Sequence, residues 1–286
     1  MVDQVCLKVL VEDSIGKSEA RKQLIAKHGF SIFVEAMVDD TCVNILMDTG
    51  SSPEALLNNV DVMGVNLREL DAILISHGHY DHMNGLISAL KGAGKQIPVF
   101  IHPKAFNPKF SLKHKLKFIG SALNTSKIEE AGGIPILSCS PIKIAEGIIS
   151  TGEIERVTSY EKTVGFYSVE EGHFVEDPLM DDQALIIELK ENGLIVVTGC
   201  AHAGIVNTVL HAQKLADKKE VHAVLGGFHL INAAKERIKM TVNDLSKLSI
   251  DFLGPCHCTG KKAIKAFKEA FGDKCRPLKT GDIIKF

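Results

Sequence analysis

Three runs of apolar positions broken by polar ones occupy the first fifty residues, 4–11, 31–38 and 42–47, and each predicts a strand. The third ends in Asp48-Thr49-Gly50. Residues 17–28 are polar and predict a loop, and Pro53 opens a short helix, since proline is tolerated in the first helical turn. DAILIS at 71–76 predicts a strand running directly into HGHYDH at 77–82, and MNGLISALKG reads as the helix that follows. PVFIH at 98–102 predicts another buried strand. Between about 104 and 180 the periodicity weakens, and from 183 it returns. Strands over 183–189 and 194–198 turn at Asn192-Gly193, a favoured hairpin pair. Then come a helix near 204–217, strand 221–225, helix 233–247, strand 250–253, helix 260–271 and a last strand near 282–285. Two strand-rich halves with helices outside predict a single α/β domain over 1–286, a four-layer αβ/βα sandwich whose strand ends carry the functional loops.

Composition narrows the class. The 286 residues are 45% hydrophobic and 24% charged, with a formal net charge of -2, which excludes a disordered chain. The balance gives no general attraction to nucleic acid or membrane. No apolar stretch reaches the 18 or so residues a membrane helix needs. Asp3 and Lys8 interrupt the N-terminal apolar positions, which therefore read as a strand and not a secretory signal. Seven scattered cysteines without a CxxC pair argue against a disulfide framework and for a reducing cytoplasm. The oligomeric state stays open, a homo-oligomer included.

Charge is unevenly spread. From Met83 to Ile128 there is no acid, but there are eight lysines: Lys91, Lys95, Lys104, Lys109, Lys113, Lys115, Lys117 and Lys127. Glu146 to Glu191 is the reverse, rich in acids. The basic run reads either as a solvated face or as a lid that draws a small anionic substrate, with Lys113 and Lys115 among its contacts.

The chemistry concentrates in His77, His79, Asp81 and His82, which directly follow an apolar strand. Imidazole nitrogens and carboxylate oxygens suit zinc and other borderline divalent metals. In extended backbone His77 and His79 point the same way, while Asp81 and His82, at the turn into a helix, can serve a neighbouring position. HxHxDH is the motif of the metallo-β-lactamase superfamily, and the chain resembles it at three further places in family order. These are Asp48 in MDTG, His202 in TGCAHAG and His257 in GPCHCTG.

The resemblance covers nearly the whole chain and implies the metallo-β-lactamase fold. It also implies one or two divalent metals, zinc first, with iron or manganese not excluded by the ligands. On that resemblance His77, His79 and His202 hold the first metal, and Asp81, His82 and His257 the second. Asp48 braces a ligand histidine. Two departures stand out. The superfamily often has a bridging aspartate after the strand that here reads VHAVLGG, and this chain has Phe228-His229. His229 either replaces the bridge, ligates one metal or faces substrate, and with Asp81 it is a candidate catalytic residue. From His82 to His202 is 120 residues (202 − 82), long for the family, so residues 104–180 are expected as an insertion over the site. The GCAHAGIVNT, GGFHL and PCHCTG wording resembles one branch, the 7,8-dihydropterin-6-methyl-4-(β-D-ribofuranosyl)aminobenzene-5′-phosphate synthases of methanopterin biosynthesis.

Other candidates weigh less. With His257 facing a metal in an extended segment, Cys256 and Cys258 face away and read as packing residues; Cys200, two before His202, could face the same way as that histidine but also reads as packing. Thr259-Gly260-Lys261 opens a helix whose free N–H groups, with Lys261, could bind an anion. The spacing of Gly254 and Gly260 does not fit a P-loop. Ser51 and Ser52 read as helix caps, and His102 as pocket wall or scaffold. His28, His114, His173, His211 and His222 fall outside any ligand pattern.

Functionally this points to a metal-dependent enzyme on an anionic, phosphorylated substrate, with dihydropterin-diphosphate condensation implied by the branch. The alternatives are hydrolysis of a phosphoester, lactone or thioester, redox chemistry, and metal binding without catalysis. The fold's diiron oxygen reductases typically carry Glu where His79 stands, which favours a zinc-like site.

Overall fold

The computed structural model describes residues 1–16, 21–112 and 115–286, so the expected loop at 17–28 is described only from residue 21. Strands β1 (Gln4–Val11), β2 (Ser31–Val38) and β3 (Thr41–Met47) form an antiparallel meander. Helix α1 (Pro53–Val62) follows, its first turn capped by the Ser52 hydroxyl, which accepts from the Ala55 N–H. β4 (Ala72–Leu74) adds parallel to β3. The chain then passes through the four-residue α2 (Tyr80–Met83) and α3 (Leu86–Ala93), so the expected single helix is two. β5 (Ile97–Ile101) is parallel to β4.

The weakly patterned middle contains β6 (Lys109–Ser111), β7 (Lys117–Phe118), α4 (Thr125–Glu130), β8 (Gly133–Leu137), β9 (Ile142–Ala145), β10 (Ile148–Ser150), β11 (Phe166–Glu170) and β12 (His173–Glu176). Then come the hairpin β13 (Ala184–Leu189) and β14 (Gly193–Thr198), α5 (Ile205–Ala216), β15 (Val221–Gly227), α6 (Lys235–Ser246), β16 (Phe252–Cys256), α7 (Lys261–Phe271) and β17 (Ile283–Lys285).

Two large sheets result, ordered β17-β1-β2-β3-β4-β5-β8 and β16-β15-β14-β13-β10-β9. Side-chain alternation explains how they stack. Leu7, Val34 and Ile45 of the first sheet share one core with Leu185, Ile187, Ile195 and Val197 of the second. The intervening residues face outward. Leu46 and Ile73 pack on Leu56 and Leu86 of α1 and α3. Ile186 and Val196 pack on Val209 of α5, Leu245 of α6 and Phe267 of α7. Each such side chain, fully buried, contributes roughly 1.5–3 kcal/mol. The order helix, sheet, sheet, helix is the expected sandwich.

The segment 104–180 does not behave as one insertion. β8 extends the first sheet, and β9 and β10 extend the second. Among the described residues, β12-β11-β6-β7 stand apart as a small third sheet. Its Phe166 and the adjoining Gly120 reach the loop after β4, through ring packing on His79 and a bridge to the His79 backbone. The parallel strands of both large sheets end at this edge, where an open α/β sheet offers its loops to a ligand. Among the described residues no helix is long and apolar enough to cross a membrane.

Candidate metal centre

The loop after β4 is held from below by three consecutive polar residues that lead into β13. Asp181 Oδ2 accepts the Gly78 N–H at 2.8 Å, and Asp182 Oδ2 accepts the Ala203 N–H at 2.8 Å. The Gln183 amide donates to Ile75 O at 2.9 Å. The loops bearing His77 and His202 are thereby tied to one strand start. Asp181 also meets the ammonium of Lys109 at 2.9 Å, as does Asp177, and all three side chains are buried. Burial alone would lower the Lys109 pKa, but the charges of Asp181 and Asp177 outweigh it and raise it. Lys109 is therefore interior scaffold, not part of a solvated lysine lid.

Asp48, buried at the end of β3 with a left-handed φ of 58°, sets the histidine tautomers. Its Oδ1 accepts the Ser76 N–H, and its Oδ2 accepts the Ser76 hydroxyl, both at 2.7 Å. The Ser76 oxygen, having given its proton to Asp48, accepts from His77 Nδ1 at 2.9 Å. His77 Nε2 is then a bare lone pair. It faces His79 Nδ1 at 2.9 Å and His202 Nε2 at 3.2 Å. Gly199 is required here, because a Cβ on it would lie 2.0 Å from Ser76 Oγ. Burial pushes His77 and His202 well below the ordinary histidine range and His79 to about 3. Three neutral imidazoles converging on one point form the donor set a divalent cation takes.

The second group lies alongside. His82 donates from Nδ1 to Asp48 Oδ2 at 2.6 Å, which leaves its Nε2 3.9 Å from Asp81 Oδ2. His257 Nε2 is 3.5 Å from the same Asp81 oxygen, and His257 Nδ1 is 3.1 Å from Asp13 Oδ1. Burial would raise the Asp81 pKa, but His82, His257 and His28 hold it well below the carboxylate range. Thus the structure brings all six residues expected as ligands close together, with Asp48 behind His77 and His82.

Several residues belong here that the sequence did not single out. His28 Nε2 is 3.1 Å from Asp81 Oδ2 and its Nδ1 is 3.3 Å from Asp13. Hydrogen bonds to Asp13 and Asp81 raise its pKa to about 9. Cys258, expected to face away, and Cys200, expected to pack although it could face with His202, both line the cleft. The extended alternation that predicted otherwise fails because His257 is left-handed, φ 49°, at the start of a 3-10 turn. Cys256 does face the core, as expected. His229 also has a left-handed φ, 44°, and its ring lies 4.2 Å from that of His202. His229 Nδ1 is buried without a hydrogen-bond partner. His102 is scaffold: its Nδ1 accepts the Lys104 N–H and its Nε2 meets Glu153.

Two adjoining clefts open onto the cluster. One, of about 300 Å³, is lined by His28, Tyr80, Asp81, Lys117, His257 and Cys258 among others. The other, about 240 Å³, is lined by Lys162, Thr163, Asn232 and Arg237, and the two share Phe166, His202 and His229. Arg237 gives one N–H to Lys162 O at 2.9 Å, but its Nε is buried without a partner, and it makes no ion pair among the described residues. Of the cations expected to meet substrate, Lys115 and Lys261 are exposed and line neither cleft, and Lys113 lies outside the described residues.

Comparison with known proteins agrees with this fold. A family model described as a β-lactamase superfamily domain matches residues 43–173. The chain is 38% identical to 7,8-dihydropterin-6-methyl-4-(β-D-ribofuranosyl)-aminobenzene-5′-phosphate synthase of Methanocaldococcus jannaschii, over 100% of this chain and 98% of that one. Among solved structures it is similar to Tm1679, a metal-dependent hydrolase of the β-lactamase superfamily, with TM-score 0.80 and 27% identity over 98% of both chains. Zinc-bound PqqB of Methylobacterium extorquens shares the fold alone, with TM-score 0.56 and 10% identity over 98% of this chain and 99% of that one.

Proposed function

Since the chain belongs to the metallo-β-lactamase superfamily, in the branch of the dihydropterin-linked aminobenzene ribofuranosyl phosphate synthase, we propose that it is a metal-dependent transferase acting on phosphorylated substrates. In that reaction a hydroxymethyl-dihydropterin diphosphate would lose its diphosphate to attack by the aminobenzene of a ribofuranosyl phosphate. The full-length relationship to the synthase carries this reading.

The residues fit a metal. His77, His79 and His202 would hold the first ion, and Asp81, with His82 and His257 beside its carboxylate, the second. Zinc suits the set, and iron or manganese would also be accepted. When bound, the metal supplies Lewis acidity toward an oxygen leaving group and lowers the pKa of a bound water.

The chain's own side chains do the rest. Arg237 and Lys162, beside the His202 edge, can neutralise a phosphate or diphosphate, and Lys117 can do so at the other cleft. Guanidinium and ammonium donors to phosphate are strong because both partners are charged. Phe166 packs on His79, His202 and His229 and gives the clefts an apolar wall that excludes water. His229 and Asp81 face the space where the bonds would change, as the candidates to hold or move a proton.

A second reading has a specific observation behind it. Tm1679, similar over 98% of both chains, is described as a hydrolase, and the same site with water as nucleophile would cleave a phosphoester or lactone.

The test has two parts. Protein purified without added metal is analysed for its elements. It is then assayed for diphosphate release from a hydroxymethyl-dihydropterin diphosphate, with and without the aminobenzene ribofuranosyl phosphate and a chelator. Release that needs both the second substrate and the metal supports the transferase. Cleavage that proceeds with water alone supports the hydrolase. Protein that neither retains nor binds divalent metal overturns both.

A further inference from the structure

Where the superfamily often has a bridging aspartate this chain has His229, and a sulfur atom lies beside donor atoms of both ligand sets. Cys200 is 3% exposed and its Sγ lies 3.3 Å from His82 Nε2. Its Sγ is also within 4.8 Å of ligand atoms in three groups: with His77 and His82, with His202 and His229, and with His257 and Cys258. Cys200 is thus shared by groups drawn from both metal sets. Cys258 accepts the His229 N–H at 3.3 Å. Gly227 permits this approach, since a Cβ on it would lie 2.7 Å from Cys258 Sγ and 2.5 Å from Gly199 O.

The ordinary reading of a buried cysteine is apolar packing. Cys256 and Cys275 follow it, each sitting in a hydrophobic cluster. Cys200 is as buried as they are and belongs to none of the three clusters. Its Sγ lies instead near donor atoms of His77, His82, His202, His229, His257 and Cys258.

We propose that Cys200 and Cys258 are metal ligands, with Cys200 between the two sets in the role of the missing carboxylate and Cys258 beside His257 in the second set. The proposal rests on the reading of these histidines as a metal centre. A thiolate carries a negative charge that a ligating imidazole lacks, so it offsets the repulsion between two dications. It can also donate lone pairs to both. Zinc and iron accept mixed nitrogen and sulfur ligands. Each thiol gives one proton to solvent as the metal binds, and no electron changes hands.

X-ray absorption at the metal edge of the loaded wild-type protein tests this without a mutation. A sulfur shell at about 2.3 Å beside the nitrogen and oxygen shell is expected for zinc. The cobalt(II)-loaded protein is expected to show a sulfur-to-metal charge-transfer band in the near ultraviolet. Cys200→Ser should lose at least half of that band and weaken the second equivalent of metal tenfold or more. Cys258→Ser should reduce the band less, and exposed Cys42→Ser should leave it unchanged. A metal-loaded wild type with only nitrogen and oxygen neighbours overturns the sulfur assignment while leaving the metal centre standing. Protein that binds no metal overturns the metal centre and this assignment together.

Discussion

His82 Nδ1 and Asp48 Oδ2 are 2.6 Å apart, and both side chains are completely buried. The same oxygen takes the Ser76 hydroxyl, and through it Asp48 also fixes His77. One carboxylate therefore orients one ligand of each metal set. Asp48→Asn leaves at least one of these donors without an acceptor, while the sandwich core is untouched. Metal affinity should fall about 10–100-fold, the usual effect of losing an outer partner. Chelator competition measures it, and thermal melting of the metal-free variant checks that the fold persists. Wild-type affinity in the variant would remove Asp48 from the centre.

Lys109 lies between Asp177 and Asp181, 2.9 Å from each. Lys109→Met leaves two carboxylates facing one another in the interior. Breaking a buried ion pair from one side costs about 3–5 kcal/mol. Because Asp181 also holds the Gly78 N–H between His77 and His79, metal binding should weaken with stability. Urea unfolding of the metal-free protein reads the first effect and chelator competition the second. A stability change below about 1 kcal/mol would show that the triad is not structural.

Asp182 is buried, and its Oδ1 has no partner. Burial, the largest cause, raises its pKa from 3.8 to about 7 despite the N–H donors of Ala203 and His202. The folded state then keeps a proton between those two values that the unfolded state has released. The contribution of this group to stability must fall as pH rises from about 4 to 7, by up to about 1.4 kcal/mol per unit. Asp182→Asn removes the dependence while keeping an acceptor for Ala203. Urea midpoints of metal-free wild type and variant, taken across that window, should converge at low pH and separate as it rises. Parallel curves would contradict the raised pKa.

Much of this architecture could be read in the chain, and the misses have physical causes. Strand alternation and the HGHYDH run placed four site residues, and Asp48, His202 and His257 followed from strand ends in family order. Cys258 was misread because alternation assumes extended backbone, and the left-handed φ of His257 turns it toward the cleft, whereas alternation did allow Cys200 to share a face with His202. His28 sits in a polar loop without period, and only tertiary folding brings it to Asp81. Lys109 looked like one charge in a basic run, since nothing local announces partners 68 and 72 residues away. Arg237 lies in the first turn of an ordinary amphipathic helix, and its orphaned Nε is visible only once Lys162 is folded beside it.

That arginine carries the substrate prediction in place of the lysine run. Arg237→Gln should raise the Michaelis constant for a phosphorylated substrate about tenfold or more, as expected for a lost charged hydrogen bond. Lys162→Gln, at an exposed position, should have a smaller effect that shrinks with added salt. Steady-state kinetics at low and high ionic strength separate the two. Unchanged constants in both variants would move phosphate recognition to the Lys117 cleft.

His229 is the last discriminating position. It lines both clefts, packs 4.2 Å from the His202 ring and keeps a buried, unpartnered Nδ1. If sulfur from Cys200 fills the bridging place, the imidazole is free to meet substrate. His229→Gln should then retain the full metal content and its sulfur shell. It should lose turnover by about 100-fold or more, the range of a positioned acid or base. Elemental analysis and kinetics on the same preparation decide the matter. Loss of one equivalent of metal would make His229 a ligand, whereas full metal with full turnover would reduce it to the residue that closes the turn after β15.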